Sequence, residues 1–318
     1  MPTYNYGRYL SQAIESVLSQ SFADFELLIA DDCSYDSTDE IMQKYRRQDP
    51  RIAYIRHDKN LGMVPNWNYC LRHAKGKYIK FLFGDDFFTS PQTLQMMFSV
   101  MENDDSISLV STARRIVDDQ SFPMDVWRFS HANLVIDGID AIRHCLHKHA
   151  NLIGEPTAVM FRASQSIRGF DPMFRQNVDL EMWFHLLEQG RYAFLADPLC
   201  AFRLHAQQQT KMTPKETILL EDARIYSTYL NKKNIHFKLI DKMFLSYDLV
   251  YRVWKECHRD KRIANATAKT YIENYGPLKF YLFFPIYKIY KPFRKLLDYI
   301  HPERHWRKKS INVGAHPL

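Results

Sequence analysis

Apolar positions along the first hundred residues recur with two alternating periods. Tyr9, Leu10, Ala13, Ile14, Val17 and Leu18 share one face of a 3.6-residue repeat, which predicts a helix. Phe25 to Ala30 is instead a short unbroken apolar run, the pattern of a strand buried on both faces, and it stops at Asp31-Asp32. Ser34 and Asp36 stand where they can cap the next helix, whose first turn carries Asp39 and Glu40. A second strand is predicted at Ile52 to Ile55. Trp67, Cys70, Leu71 and Ala74 then line a helix that Gly76 is expected to close. Tyr78 to Phe83 reads as a third strand, ending at Gly84-Asp85-Asp86, and Ser90-Pro91 opens a helix through Leu94, Met97 and Phe98. This βαβα order implies an α/β fold with a doubly wound, mainly parallel, Rossmann-like sheet, whose ligands bind beyond the carboxyl ends of the strands. Two strand ends carry acidic pairs, which marks them as the candidate site. Such a sheet also needs a strand before the Tyr9 helix, where only Met1 to Asn5 stand, so the natural chain is expected to start a few residues upstream.

Past residue 105 the pattern changes. Ile107 to Ala113 and Thr157 to Phe161 read as strands, Gly138 to His147 and Asp179 to Leu187 as helices, and Thr213 to Tyr275 as helical throughout. The run His144-Cys145-Leu146-His147 lacks a second ligand pair at zinc spacing, so it is expected to form a polar helix face. Length fits one large α/β domain and a smaller appendage: 318 residues, 46% apolar and 25% charged.

Charge changes the picture at one end only. From Pro277 to Ser310 nine Lys and Arg face Asp298 and Glu303, which equals the whole net surplus of +7. A neutral body with a basic, aromatic tail points to a membrane surface, not to nucleic acid. Phe280, Tyr281, Phe283, Phe284, Tyr287 and Tyr290 interleave with Lys279, Lys288 and Lys291, and Pro285 and Pro292 are expected to break any long helix there. A helical hairpin packed on the main domain, basic side outward, fits the same residues. No uninterrupted apolar run of about 18 residues is present to span a bilayer.

Four constellations carry chemistry. Asp85-Asp86 follows a glycine at a strand end, as a divalent-cation site would, or simply forms a solvated turn. Asp32, in Asp31-Asp32-Cys33-Ser34, can accept hydrogen bonds from a nucleotide, or belongs to a capped loop. Asp179 and Glu181 open a helix and diverge, so only one can face a given site as a general base; both also suit the helix dipole. In Phe202-Arg203-Leu204-His205, Arg203 can pair with phosphate and His205 can complete a metal site, though either could be purely structural.

Taken in order, these segments resemble family 2 glycosyltransferases of the GT-A fold. The matching stretches are M-P-T-Y-N at 1–5, A-I-E-S-V-L-S-Q-S-F at 13–22, D-F-E-L-L-I-A-D-D-C-S at 24–34, N-L-G-M-V-P-N-W-N at 60–68, A-K-G-K-Y-I-K-F-L-F-G-D-D at 74–86, V-D-L-E-M-W at 178–183 and F-R-L-H at 202–205. The resemblance implies a catalytic domain over 1–210, with a nucleotide-sugar half to about 105 and an acceptor half from 106, followed by a helical region over 211–318. It implies that Pro2, Tyr4 and Asp32 bind the nucleoside, that Asp85 lies near the ribose, and that Arg203 closes on the diphosphate. Asp86 and His205 would hold Mn²⁺ or Mg²⁺, Asp179 would be the general base, and Glu181 its reserve. The family often has an aspartate where Phe83 stands, and a Glu-Asp pair where Val178-Asp179 stands. Processive members carry Gln-x-x-Arg-Trp and membrane spans, which this sequence lacks.

The expected function is metal-dependent, inverting transfer of a single sugar from a nucleotide diphosphate-sugar to a glycan or lipid-linked acceptor, in surface polysaccharide or glycolipid assembly. The expected location is cytoplasmic, peripheral at the inner face of the membrane. Gly154-Glu155-Pro156-Thr157 would line the acceptor side. A nucleotidyltransferase would need a glycine-rich loop where Met1 to Asn5 has none, and a non-catalytic binding module of the same fold remains open.

Overall fold

The computed structural model describes residues 1–259 and 272–300. The N-terminal half holds a three-stranded parallel sheet of β1 (Pro2–Thr3), β2 (Leu27–Asp31) and β3 (Ile52–Arg56). Between these strands run α1 (Gly7–Leu18) and α2 (Thr38–Gln48). The apolar face predicted for α1 is the buried one, with Leu10, Ala13 and Ile14 fully enclosed. β1 is only two residues long, and its ladder continues as the Met1 amino group donates to Leu28 O at 2.6 Å. Asp36 ties the two helices: one oxygen accepts from Gly7 N at 2.8 Å and the other from Thr38 N at 3.0 Å. Ser34 does not cap α2; its hydroxyl binds Asp31 and accepts from Asn5 N.

After α3 (Met63–His73) the chain enters a second, seven-stranded sheet, in the order β4 (Tyr78–Lys80), β9 (Val159–Arg162), β6 (Ile107–Val117), β10 (Arg191–Arg203), β5 (Phe87–Phe88). β7 (Pro123–Trp127) joins β6, and β8 (Leu134–Ile136) joins β10. This sheet is mixed. β6 and β10 run parallel, whereas β4 and β6 each pair antiparallel with β9. The third predicted strand is therefore shorter than its apolar run and pairs antiparallel, with Phe81 to Phe83 forming the approach to the acidic turn. Gly76 does not close α3: Ala74 already leaves the helix in extended backbone.

Helices α4 (Thr93–Asn103), α5 (Gly138–Lys148) and α6 (Val178–Leu187) cover the sheets. On α5 the expected polar face is wrong: His144, Cys145 and His147 are all buried, packed toward α6 and the helices that follow. The C-terminal region comprises α7 (Gln209–Met212), α8 (Lys215–Asn231), α9 (Leu239–Arg259) and α10 (Pro277–Ile300). Pro285 and Pro292 lie inside α10, which continues through both, contrary to expectation. Each proline forfeits one backbone hydrogen bond, offset by an aromatic seam in which Phe280 and Tyr287 are buried against Phe244, Tyr247 and Tyr251 of α9. The opposite face of α10 leaves Leu278, Tyr281, Leu282, Ile286, Ile289 and Phe293 exposed. No helix among the described residues is long and apolar enough to cross a membrane. The basic residues Arg304, Arg307, Lys308 and Lys309 lie outside the described residues.

Candidate active site

The turn after β4 brings Asp85 and Asp86 to the end of β10. It passes close to β1, because a Cβ on Gly84 would lie 2.9 Å from Thr3 Oγ1 and 3.2 Å from Tyr6 Cβ. The two aspartates then part. Asp86 points into the protein, 1% exposed, accepting from Arg203 N at 2.9 Å through one oxygen and from the Thr157 hydroxyl through the other. Burial first, and the Asp85 charge second, raise its carboxyl well above the usual range. Asp85 instead meets His205, Oδ2 to Nε2 at 2.9 Å, with the two rings of Tyr6 and Tyr9 against the imidazole. Burial and both carboxylates push the Tyr6 phenol upward, and its hydroxyl bonds Asp85.

The two carboxylates thus differ in the partners they hold. Asp86, predicted as the metal ligand, has both oxygens on protein donors, while Asp85, predicted near the ribose, is the carboxylate paired with the histidine. Asp85 and His205 together offer a hard oxygen and an imidazole nitrogen, a donor set that suits Mn²⁺ or Mg²⁺. The described residues hold no cluster of three or more His, Cys, Asp or Glu fit for a metal. A cation at this pair would thus need further ligands from a bound phosphate, as Mg²⁺ sites commonly do.

Arg203, expected to close on a diphosphate, is engaged by the protein itself in this structure. Its side chain is 1% exposed and turned inward. Nε donates to Asp85 O at 2.7 Å, Nη1 to Ser121 Oγ at 2.9 Å and to the Asp118 and Asp119 carbonyls at 3.3 Å, and Nη2 to Gln12 Oε1 at 2.6 Å. With Tyr9 and Phe87 against its guanidinium, it clamps the acidic turn to β10 and α1.

On the nucleoside side Asp32 accepts from Leu61 N at 2.6 Å and from Gly62 N at 2.9 Å, so each oxygen anchors the turn that leads into α3. Pro2 is buried in β1, opposite Ala30. Tyr4 is 41% exposed, edge-on to Tyr35, and Asn5 links the two loops by accepting from Tyr35 N at 3.0 Å. Tyr4 is therefore the predicted nucleoside contact that remains open to solvent.

A third group surrounds Asp179 at the start of α6. One oxygen accepts from Asn151 Nδ2 at 3.0 Å and the other from Leu180 N at 2.7 Å. Burial, followed by the charge of Glu155, raises its carboxyl to about 7. Glu181 faces elsewhere: both oxygens are held by Arg168, at 2.7 Å each. The segment 151–157 joins this group to the acidic turn. Asn151 binds Asp179 and Gly154, Glu155 pairs with Arg114 at 2.6 Å and repels both Asp179 and Asp86, and Thr157 bonds Asp86. Lys80 ties the segment down by donating to Thr157 O, and burial pushes its amine down to about 8. Sequence reasoning placed Gly154 to Thr157 near the acceptor side by position alone. It missed Asn151, Arg114 and Gln12, single polar residues without motif or spacing.

Comparisons with known proteins identify the family and the fold. Residues 1–166 match the model of Glycosyl transferase family 2. TuaG of Bacillus subtilis, a glycosyltransferase assigned to teichuronic acid biosynthesis, is 31% identical over 204 residues, covering 64% of this chain and 77% of TuaG. Chondroitin synthase of Escherichia coli is 27% identical over 245 residues, 76% of this chain but 32% of that protein. Among solved structures, S. aureus TarS 1-349 in complex with UDP-GlcNAc superposes with TM-score 0.62 at 20% identity, covering 80% of this chain and 71% of that one. The mannosyltransferase PcManGT from Pyrobaculum calidifontis, in complex with GDP-Man and Mn²⁺, does so with TM-score 0.55 at 15% identity, covering 96% and 85%. At these identities the structural likenesses establish the shared fold. With the family match spanning more than half of the chain, including the segments that carry Asp32, Asp85 and Asp86, the chain is a glycosyltransferase of family 2.

Proposed function

We propose that this glycosyltransferase moves one sugar, with inversion, from a nucleoside diphosphate sugar to an acceptor hydroxyl in polysaccharide or glycolipid assembly. The observation that carries the reading is the Asp179 carboxyl, held by Asn151 and raised to about 7, joined through 151–157 to the acidic turn. A base poised near neutral pH can take the acceptor proton as the glycosidic bond breaks. Tyr4 and the Leu61–Gly62 turn anchored by Asp32 would flank the nucleoside. Asp85 and His205 would hold Mn²⁺ or Mg²⁺, whose charge offsets that of the departing diphosphate. Asp86 and Arg203 fix the position of Asp85.

A cytoplasmic, membrane-peripheral setting rests on α10. Its exposed apolar residues share one helical stripe, with exposed Lys279 and Lys288 beside it, the layout of a helix lying in a lipid headgroup region. The test of the catalytic reading is thermal melting with a panel of nucleoside diphosphates, with and without Mn²⁺, in wild type and His205→Ala. Ligand at 100 times its Kd stabilises by about 2.7 kcal/mol. A cation-dependent shift with one nucleotide that His205→Ala loses is the expected result. Equal shifts with and without Mn²⁺ would remove the cation from the reading, and no shift with any nucleotide would favour a non-catalytic module.

A further inference from the structure

A cleft of about 920 Å³ opens between the C-terminal end of α5 and helices α8, α9 and α10, within the size range of small-molecule sites. Its lining differs from the acidic turn described above. Tyr290 is the part-exposed ring of the lining, beside the buried rings of Tyr251 and Tyr287, and five Lys and Arg outnumber three Asp and Glu. Lys255 is exposed at its rim, Arg252 stands 3.8 Å from Asp222, and Lys291 lies 3.0 Å from Asp248.

Two walls of this cleft connect to Asp179 through short chain segments. His149, paired with Asp248 at 2.5 Å, is two residues from Asn151, whose amide contacts the Asp179 carboxylate; two residues span at most ~7 Å of chain. Asp222, on α8, accepts from Asn177 Nδ2 at 2.9 Å, and Asn177 is likewise two residues from Asp179. Glu221 beside it accepts from the backbone amides of Arg175, Gln176 and Asn177, fixing the approach to α6. Asp179 does not itself line the cleft, but two short segments, one that contacts it and one that leads into it, are anchored in the cleft walls.

Resting on the transferase reading above, we propose that this cleft seats the acceptor, and that the acceptor is an anionic glycan chain bearing carboxylate or phosphate groups. The part-exposed Tyr290 ring offers an apolar surface to sugar C–H groups while its hydroxyl can bind a polar neighbour. Asp222 and Asp248 can accept from sugar hydroxyls, and the cationic excess matches acidic substituents. A lipid surface fits the cleft less well. The exposed apolar stripe of α10 is a different set of residues on the opposite face from Tyr287, Tyr290 and Lys291, so a membrane can be met without filling the cleft.

The test is calorimetric titration of the full chain with a glucuronate-containing tetrasaccharide, a neutral tetrasaccharide of equal length, inorganic phosphate, and anionic lipid vesicles. The expected result is saturable binding of the acidic tetrasaccharide over the neutral one, weakened about tenfold by Lys255→Glu and kept within about twofold by Lys255→Arg. Equal binding of both tetrasaccharides, no binding of either, or acidic binding indifferent to Lys255→Glu overturns the proposal. Vesicle binding that alone responds to Lys255→Glu makes the cleft a headgroup site instead, and phosphate binding without tetrasaccharide binding makes it an ion site. Nucleoside diphosphate titration of wild type checks the transferase reading separately. Tetrasaccharide binding without nucleotide binding removes that reading and keeps the cleft as a glycan site, while the reverse outcome removes the cleft.

Discussion

Replacing Asp179 by asparagine pits stability against chemistry, and the structure sets the size of both effects. The Asp179 carboxyl rises from 3.8 to about 7 in the fold, through burial and then through Glu155. Each unit corresponds to about 1.36 kcal/mol, so ionised Asp179 costs the folded state roughly 4 kcal/mol. The side chain is half-buried, and solvent screening reduces this to about 2 kcal/mol. Asparagine carries no charge and can still accept from Asn151, but it cannot serve both Asn151 and the Leu180 amide, a loss of about 1 kcal/mol. The variant should therefore be more stable than wild type by about 1 kcal/mol at pH 8, or about 2 °C in Tm. The sign follows from proton binding. The folded carboxyl titrates above the unfolded one, so the folded state holds the extra proton between about pH 4 and pH 7, and wild-type stability falls as pH rises through that window. The advantage of the variant should vanish by about pH 4. Transfer should drop about a thousandfold, and wild-type transfer should rise as Asp179 ionises through about pH 7. Melts at pH 4 and pH 8, with turnover of a nucleotide sugar, check both halves. A variant destabilised equally at both pH values refutes the burial argument, and transfer retained within about tenfold refutes Asp179 as the base.

Arg203→Ala removes a guanidinium that serves five acceptors from α1, the Asp85 turn and the Asp118–Ser121 turn, and should cost at least 3 kcal/mol in chemical denaturation, with nucleotide binding lost alongside. Glu181→Gln breaks the two-point contact with Arg168 and should cost about 1–3 kcal/mol, yet leave kcat within about threefold, as steady-state kinetics at matched folded fraction would show. Gly138→Ala should destabilise by more than about 3 kcal/mol although alanine is the better helix former, because the added Cβ would lie 2.1 Å from Leu187 O and 2.2 Å from Gly190 O. A neutral or stabilising outcome in a thermal melt would show that α5 and α6 are less tightly packed than described.

Periodicity made α1, α3 and α4 legible because each presents an apolar stripe to a sheet, while α2 was legible from the capping Asp36 and its acidic first turn. It misread β4, since a run such as Tyr78 to Phe83 marks burial without telling a strand from the irregular approach to a turn. The proline-based break in α10 failed because local backbone cost was weighed without the aromatic seam against α9, which is tertiary. Within the site, the acidic pair and the helix-opening carboxylates stood out by position, but the partners of each did not. Whether Asp86 faces a ligand or Thr157, and whether Glu181 is free or held by Arg168, depends on residues 71 and 13 positions away. Such contacts leave no mark in spacing, so the partners of Asp85, Asp86 and Arg203 become visible only in the folded chain.

β10 carries a consequence for how this enzyme would fail. Ten of its positions are in register with β6, and its last residue, Arg203, holds the acidic turn. The amide of Arg203, bonded to Asp86, should exchange with deuterium only when the whole sheet opens, while Tyr4 and its neighbours exchange through local fluctuations. Heat inactivation should accordingly follow the cooperative unfolding curve, with no partly folded form that keeps its sheet yet has lost the turn.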